Sequence, residues 1–248
     1  MASLRPGPVA LVLCGSFNPP TVAHLRMLDL ARDAFRDQGI DVVRGILSPV
    51  NDAYGKPGLA PASHRLAMTR LAAAAHGDWV ACDPWEAEQP EYVRTLEVLR
   101  RAARELRAGP EPHARPVLLC GADLLQSFAR PGVWLEEHLS EILTGFGVAC
   151  VTRDGSDPTE ALATATLAPH RHGVLTIHEP VPNHVSSTAV RKLAGQKRSV
   201  AWLVPPTVAS YIAEHGLYEG QDATAGRGGA GGDAWQTDAA WAAGKKGS

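Results

Sequence analysis

The feature that most constrains this chain is the alternation of short, uninterrupted apolar runs with longer segments of helical periodicity. Residues 9–13, Val-Ala-Leu-Val-Leu, are apolar throughout and stand between Pro8 and Gly15. A strand with one solvent-facing side alternates apolar and polar residues, so this run reads as a strand buried on both faces, as in the interior of a parallel sheet. Beyond the next loop Leu25, Leu28, Ala31 and Phe35 recur at helical spacing, with Arg26, Asp29, Arg32 and Asp33 on the other faces. The unit then repeats with new sequence. Residues 41–48, 80–83, 117–120, 148–152 and 174–178 read as further strands, and 62–76, 92–107 and 134–143 as helices. Gly77 and the pair Gly109-Pro110 stop two of those helices, and two more helical patterns follow Ser187 and Pro206. The alternation implies an α/β fold, a doubly wound (Rossmann-like) parallel sheet with helices on both faces. Ligands of such sheets bind at the carboxyl ends of the strands, where the strand order reverses, which singles out the loops after Leu13, Cys120 and Thr152.

A chain of 248 residues that is 45% hydrophobic can bury one large core. The alternation stops near Tyr218, so residues 1–219 are expected to form the α/β domain and residues 220–248, rich in Gly, Ala, Asp and Lys, a flexible low-complexity tail. Within that tail Gly226-Arg227-Gly228-Gly229-Ala230-Gly231 spells a dinucleotide fingerprint, but no strand precedes it and no helix follows. No G-x-x-x-x-G-K-[ST] loop occurs either. Lys and Arg total 24 against 26 Asp and Glu, a net charge of −2 that gives no field to attract nucleic acid or an anionic membrane. No run approaches the roughly 20 apolar residues of a membrane span, and the first apolar run carries no cleavage site, so a soluble, intracellular protein is expected, in cytoplasm or nucleus. Cys14, Cys82, Cys120 and Cys150 show no C-x-x-C spacing and read as reduced, buried thiols. The histidines show no metal-ligand spacing, so no metal held by protein side chains is expected. His64 and Arg65, opening the second helix after Pro61, read as capping or surface residues.

Chemistry concentrates in Gly15-Ser16-Phe17-Asn18-Pro19-Pro20-Thr21-Val22-Ala23-His24, between the first strand and the first helix. Gly15 allows a tight turn with backbone close to a ligand, the prolines stiffen the loop, and the helix start offers free N–H groups to phosphate. Thr21 and His24, three apart, can face one anion. Near the other end Val185-Ser186-Ser187-Thr188-Ala189-Val190-Arg191 places hydroxyls where they can cap a helix or donate to phosphate, with Arg191 one turn later. Each segment alone is also compatible with an ordinary helix cap.

The first segment resembles the G-x-F-[ND]-P-x-[HT]-x-x-H loop of the nucleotidylyltransferase superfamily, through Gly15, Phe17, Asn18, Pro19, Thr21 and His24, and the second resembles its I-S-S-T-x-x-R motif. Between them the chain is similar to the nicotinamide mononucleotide adenylyltransferases, eukaryotic-type branch, from about Val9 to Tyr218. The segment 52–59 looks like the loop whose lysine, here Lys56, contacts substrate phosphate, and 118–125 like the segment in which Gly121 and Asp123 hold adenosine. The resemblance implies that Gly15, Ser16, Phe17, Thr21, His24, Gly121, Asp123, Ser186, Ser187, Thr188 and Arg191 bind ATP. For nicotinamide mononucleotide it implies Ser16, Lys56, Trp85, Tyr92, Thr95, Trp134, Arg153, Glu179 and Asn183. Tyr92 departs from the tryptophan of the relatives but keeps a stacking face.

The implied reaction is attack of the mononucleotide 5′-phosphate on the α-phosphorus of ATP, giving NAD and pyrophosphate, with nicotinate mononucleotide as a further acceptor. A phosphate is already ionised, so no protein nucleophile is needed: His24 and Arg191 would stabilise the transition state and Lys56 clamp the substrate phosphate. Mg2+ would bridge the ATP phosphates, mostly water-ligated. No nucleic-acid or membrane partner is implied, and a homo-oligomer is compatible with the sequence. Competing readings are an ATP-binding regulator or chaperone that keeps the fold without the chemistry, and a nucleotidylyltransferase acting on another acceptor, such as phosphopantetheine. A class I aminoacyl-tRNA synthetase shares a related first loop, but the chain lacks a K-M-S-K-S element.

Overall fold

The computed structural model describes residues 6–152, 157–181 and 183–220. Six strands, β1 (Val9–Gly15), β2 (Val42–Pro49), β3 (Val80–Cys82), β4 (Arg115–Gly121), β5 (Val148–Thr152) and β6 (Val174–His178), form one sheet in the order β3-β2-β1-β4-β5-β6, with every neighbouring pair parallel. The doubly wound expectation is met.

The apolar character of β1 throughout follows from its central place. Val9, Leu11 and Leu13 join one core cluster with Leu28, Ala31 and Phe35 of α1 (Val22–Arg36), while Val12 and Cys14 join another with Leu96 and Leu99 of α3 (Thr95–Ala108). Successive side chains of a strand point to opposite faces, so a strand covered on both sides has no place for a polar residue. Helices α2 (Ala62–His76) and α8 (Pro206–Glu214) contribute to the first layer, and α4 (Ala122–Phe128) and α5 (Glu136–Glu141) to the second; α6 (Thr159–Leu162) and α7 (Ser187–Gly195) complete the set.

The strand order reverses between β1 and β4. Pairing of β1 with β2 runs on to Gly15↔Pro49, whereas pairing with β4 ends at Val12↔Leu118. The two central strands therefore part at their carboxyl ends, and the loops that follow Gly15 and Gly121 face each other across the opening.

Several boundaries differ from expectation. The segment 92–107 becomes helical only at Thr95, which leaves Tyr92 in irregular chain, and Trp134 stands in a bend before α5. α5 passes into a π turn, Ile142–Phe146, closed by Gly147 at φ 89° with its N–H on Ile142 O at 2.8 Å. α4 was not expected, because seven residues following a strand without an intervening loop are too few for a period to be read. The surface role expected for Arg65 is wrong: its side chain is fully buried. His64 docks α8 on α2, its Nδ1 lying 2.9 Å from the Tyr211 hydroxyl. Among the described residues the four cysteines are unpaired, and no helix is long and apolar enough to cross a membrane. Residues 221–248 lie outside the described residues.

Candidate active site at the ends of β1 and β4

The first loop leaves β1 at Gly15 and enters α1 at Thr21, which adopts the extended backbone of an N-cap. His24, the third helical residue, turns its ring back: Nδ1 accepts the Thr21 N–H at 2.9 Å and lies 2.8 Å from the Thr21 hydroxyl. A ring nitrogen that accepts an amide N–H carries no proton, so the imidazole proton sits on Nε2. The Phe17 ring packs 5.3 Å from the imidazole, centroid to centroid, and Phe17 itself holds φ at 43°. Thr21 and Phe17 are buried; His24 and Ser16 are half-buried.

The second motif meets this loop directly. Ser186, not Ser187 or Thr188, caps α7, accepting the Ala189 N–H at 3.2 Å. The Ser187 hydroxyl donates to Pro19 O at 2.8 Å and is buried there. Arg191 donates from one Nη to Asn18 O at 2.8 Å and from the other to the Thr188 hydroxyl at 3.3 Å. A side chain and a main-chain carbonyl 173 positions apart in sequence are thus joined, and Arg191 and His24 flank one short loop. Across the opening Gly121 starts α4, with Asp123 in its first turn. A Cβ at Gly121 would meet no protein atom within 4 Å, so the space in front of it is open.

The Lys56 loop is tied to the same place by two buried polar groups. Asn18 Nδ2 donates to Gly58 O at 2.8 Å, and Asn18 Oδ1 accepts the Ala60 N–H at 3.2 Å. Arg65 donates to Ala60 O at 2.8 Å, to Ser16 O at 3.1 Å and to Asp52 at 2.9 Å. Burial lowers the pKa of its guanidinium and the Asp52 hydrogen bond opposes that, yet an arginine stays cationic in either case. The loop itself makes a 3₁₀ turn over Asp52–Tyr54, reversed at Gly55 with φ 66°, and half-buries Lys56.

Aromatic residues line the next stretch of loop. Tyr92 stacks on Tyr54 with ring centroids 6.1 Å apart and 25° between planes. Tyr54 was passed over in the sequence, although it stands two residues from Lys56. Trp134 lies edge-on to Phe128 at 4.8 Å and donates its indole N–H to the Ser127 hydroxyl at 3.0 Å. Trp85 is covered by the Arg101 guanidinium, 5.2 Å from its ring centre, and its backbone N–H donates to Asp83. Its neighbour Glu86, also missed, is buried and receives the Ser48 hydroxyl at 2.5 Å. Burial, reinforced by Asp83, pushes its pKa up to about 8 against the opposing pull of Ser48 and Arg65. Asn51 links the two loops by donating to the carbonyls of Gln89 and Glu91. Thr95 opens α3 beside Tyr92.

Farther along the sheet edge, Glu179 is buried, accepts Arg26 Nε at 3.3 Å and the Val181 N–H at 3.1 Å, and donates its own N–H to Thr152 O. Asn183 folds on itself, accepting the Val185 N–H at 2.9 Å. Arg153 lies outside the described residues. Among the described residues no three His, Cys, Asp or Glu side chains gather to hold a metal. His24 at the start of α1 and Arg191 in α7 flank the first loop, to which the segment carrying Lys56 is tied through Asn18, and side chains of this kind suit an anion rather than a cation.

Residues 12–193 match the family model described as cytidylyltransferase-like. The chain is 44% identical over 214 residues to the nicotinamide/nicotinic acid mononucleotide adenylyltransferase of Arabidopsis thaliana, which spans 85% of this chain and 90% of that protein. With the enzyme of the same name from Oryza sativa subsp. japonica the identity is 41% over 222 residues, 87% of this chain and 88% of the relative. A crystal structure from Vibrio parahaemolyticus, provisionally assigned as a nicotinate-nucleotide adenylyltransferase, superposes with a TM-score of 0.52 over 87% of this chain and 97% of that one. At 16% identity that likeness speaks for the fold alone.

Proposed function

The chain belongs to the cytidylyltransferase-like family and, within it, to the nicotinamide/nicotinic acid mononucleotide adenylyltransferases, and from that premise we propose that it transfers AMP from ATP to nicotinamide mononucleotide, and to nicotinate mononucleotide, in NAD biosynthesis. An oxygen of the mononucleotide 5′-phosphate attacks the α-phosphorus of ATP. The bond from that phosphorus to the α,β-bridging oxygen breaks, and pyrophosphate leaves with the electron pair. NAD, or its deamido form, is the other product.

The observation that carries this reading is the contact of Arg191 with the carbonyl of Asn18, which brings two phosphate-binding segments from opposite ends of the chain onto one loop. The reaction needs aligned reactants and compensation of charge moving to the leaving group, since the attacking phosphate is already anionic. His24 donates from Nε2, its tautomer fixed by Thr21. Arg191 offers a planar fork to the phosphate oxygens, and Lys56 holds the phosphate of the acceptor. Gly15, Ser16 and Phe17 shape the bend around the triphosphate, Gly121 and Asp123 take the adenosine, and Ser186, Ser187 and Thr188 fix the start of α7 beneath it. Tyr92, Thr95 and Trp134 receive the nicotinamide ring, and Trp85, Glu179 and Asn183 contribute to binding the mononucleotide, as does Arg153 by resemblance alone. Mg2+, carried by the triphosphate rather than held by a cluster of protein side chains, would supply positive charge toward the pyrophosphate beside His24 and Arg191.

The test is incubation of the purified protein with ATP, Mg2+ and either mononucleotide. NAD or deamido-NAD in step with pyrophosphate is expected; no product despite measurable ATP binding would mean that the chain keeps the fold without the chemistry.

A further inference from the structure

Tyr218 reaches the first loop from the far end of the described chain. Its hydroxyl donates to Asn18 Oδ1 at 3.0 Å, across 200 positions of sequence, and its side chain is buried. Asn18 is already the meeting point of the site. Its Nδ2 holds Gly58 O, its Oδ1 receives the Ala60 N–H, and its carbonyl receives Arg191. The two donors on Oδ1 define which way the carboxamide faces, because a flipped amide would set its NH2 against both. The backbone shows the same convergence. Among the described residues four non-glycine positions have positive φ, and two of them meet at Asn18: Phe17 at 43°, immediately before it, and Tyr218 at 70°. Bulky side chains hold that region only where their surroundings enforce it. Tyr218 is delivered by α8, which His64 and Tyr211 dock on α2, and the turn after α8 closes through Leu217 N–H to Ile212 O at 3.0 Å. Arg65 and Arg191 both lie near enough for their charges to act on the phenol.

We infer that Tyr218 is a positioning residue of the transfer site: by holding Asn18, whose carboxamide ties down the Lys56 loop and whose main-chain carbonyl accepts Arg191, it sets both and so couples the ATP side to the mononucleotide side. The inference deepens the functional reading above and rests on it. Asn18 touches both sides of the site, Arg191 on one and Gly58 and Ala60 on the other, so loss of its hold loosens both substrates at once.

Tyr218→Phe keeps the ring and removes the hydroxyl. Measured well below the melting temperature, it is expected to lower kcat about tenfold, the weight of one buried hydrogen bond felt in the transition state, and to raise KM for ATP and for the mononucleotide together. In an Asn18→Ala background the same substitution adds nothing further, because the residue through which it acts is gone. Wild-type kcat and KM values in Tyr218→Phe would overturn the inference, as would an undiminished effect in the Asn18→Ala background. Should Asn18→Ala fail to fold, the joint movement of the two KM values in Tyr218→Phe decides, since a purely structural role in packing α8 would lower the melting temperature and leave both constants unchanged. If the wild-type chain forms no NAD, the functional reading falls, and the inference is then judged by calorimetry: a several-fold weaker dissociation constant for ATP in Tyr218→Phe supports it, an unchanged one overturns it.

Discussion

Replacing Arg65 by methionine probes how the Lys56 loop is tied to the rest of the site. The guanidinium is wholly buried and makes three hydrogen bonds, to Ala60 O, Ser16 O and Asp52. Asp52 is 59% exposed, so its carboxylate rehydrates when the partner disappears, and that bond counts as a surface pair worth at most about 1 kcal/mol. The two backbone carbonyls are left without this donor, at about 1 kcal/mol or somewhat more each. Methionine fills much of the volume, so a cavity adds little. The sum is about 3 kcal/mol, which for a domain of this size lowers Tm by about 6–12 °C. Urea melts followed by circular dichroism measure it, and KM for the mononucleotide is expected to rise because the Lys56 loop loses an anchor. Arg65→Lys, which reaches one acceptor, recovers less than half. A loss below about 1 kcal/mol with an unchanged KM would refute the reasoning.

Two other substitutions test the chemistry and the electrostatics. His24→Ala removes a donor needed in the transition state and is expected to lower kcat by about 10² to 10³ while changing ATP affinity little; equal losses in both would show that the imidazole merely binds. Glu86 has a pKa raised from 4.5 to about 8, chiefly by burial. The folded state keeps this proton where the unfolded state has lost it, so its contribution to stability is complete below pH 4.5 and disappears as the pH rises through about 8. Glu86→Gln should flatten that part of the pH–stability curve; a variant whose stability falls as steeply as that of the wild type would count against the assignment.

The sheet was readable because its strands are short apolar runs with glycine or proline beside them, and residues 148–152 and 174–178 came out with the observed ends. The alternation did not reveal the strand order, but two of the three loops it singled out, those after Leu13 and Cys120, flank the opening between β1 and β4. What could not be read is the buried polar frame. Arg65, Asn18, Glu86 and Tyr218 are polar or amphipathic side chains whose partners lie 5 to 200 positions away, and neither period nor local spacing encodes such pairs. Arg65 even looked like a surface residue, because a cation one turn into a helix is most often solvated. Motif letters located Ser187 and Thr188 correctly at the start of α7, but which hydroxyl caps the helix depends on where the chain enters, and the entry is set by the Ser187 contact with Pro19.

The central claim is that an imidazole and a guanidinium from opposite ends of the chain act on one triphosphate. It is tested most directly by a crystal structure with a non-hydrolysable ATP analogue. His24 Nε2 and the Arg191 guanidinium are expected within hydrogen-bonding distance of oxygens of the same triphosphate, with the adenosine at Gly121 and Asp123. An analogue bound with its phosphates out of reach of either side chain would contradict the account.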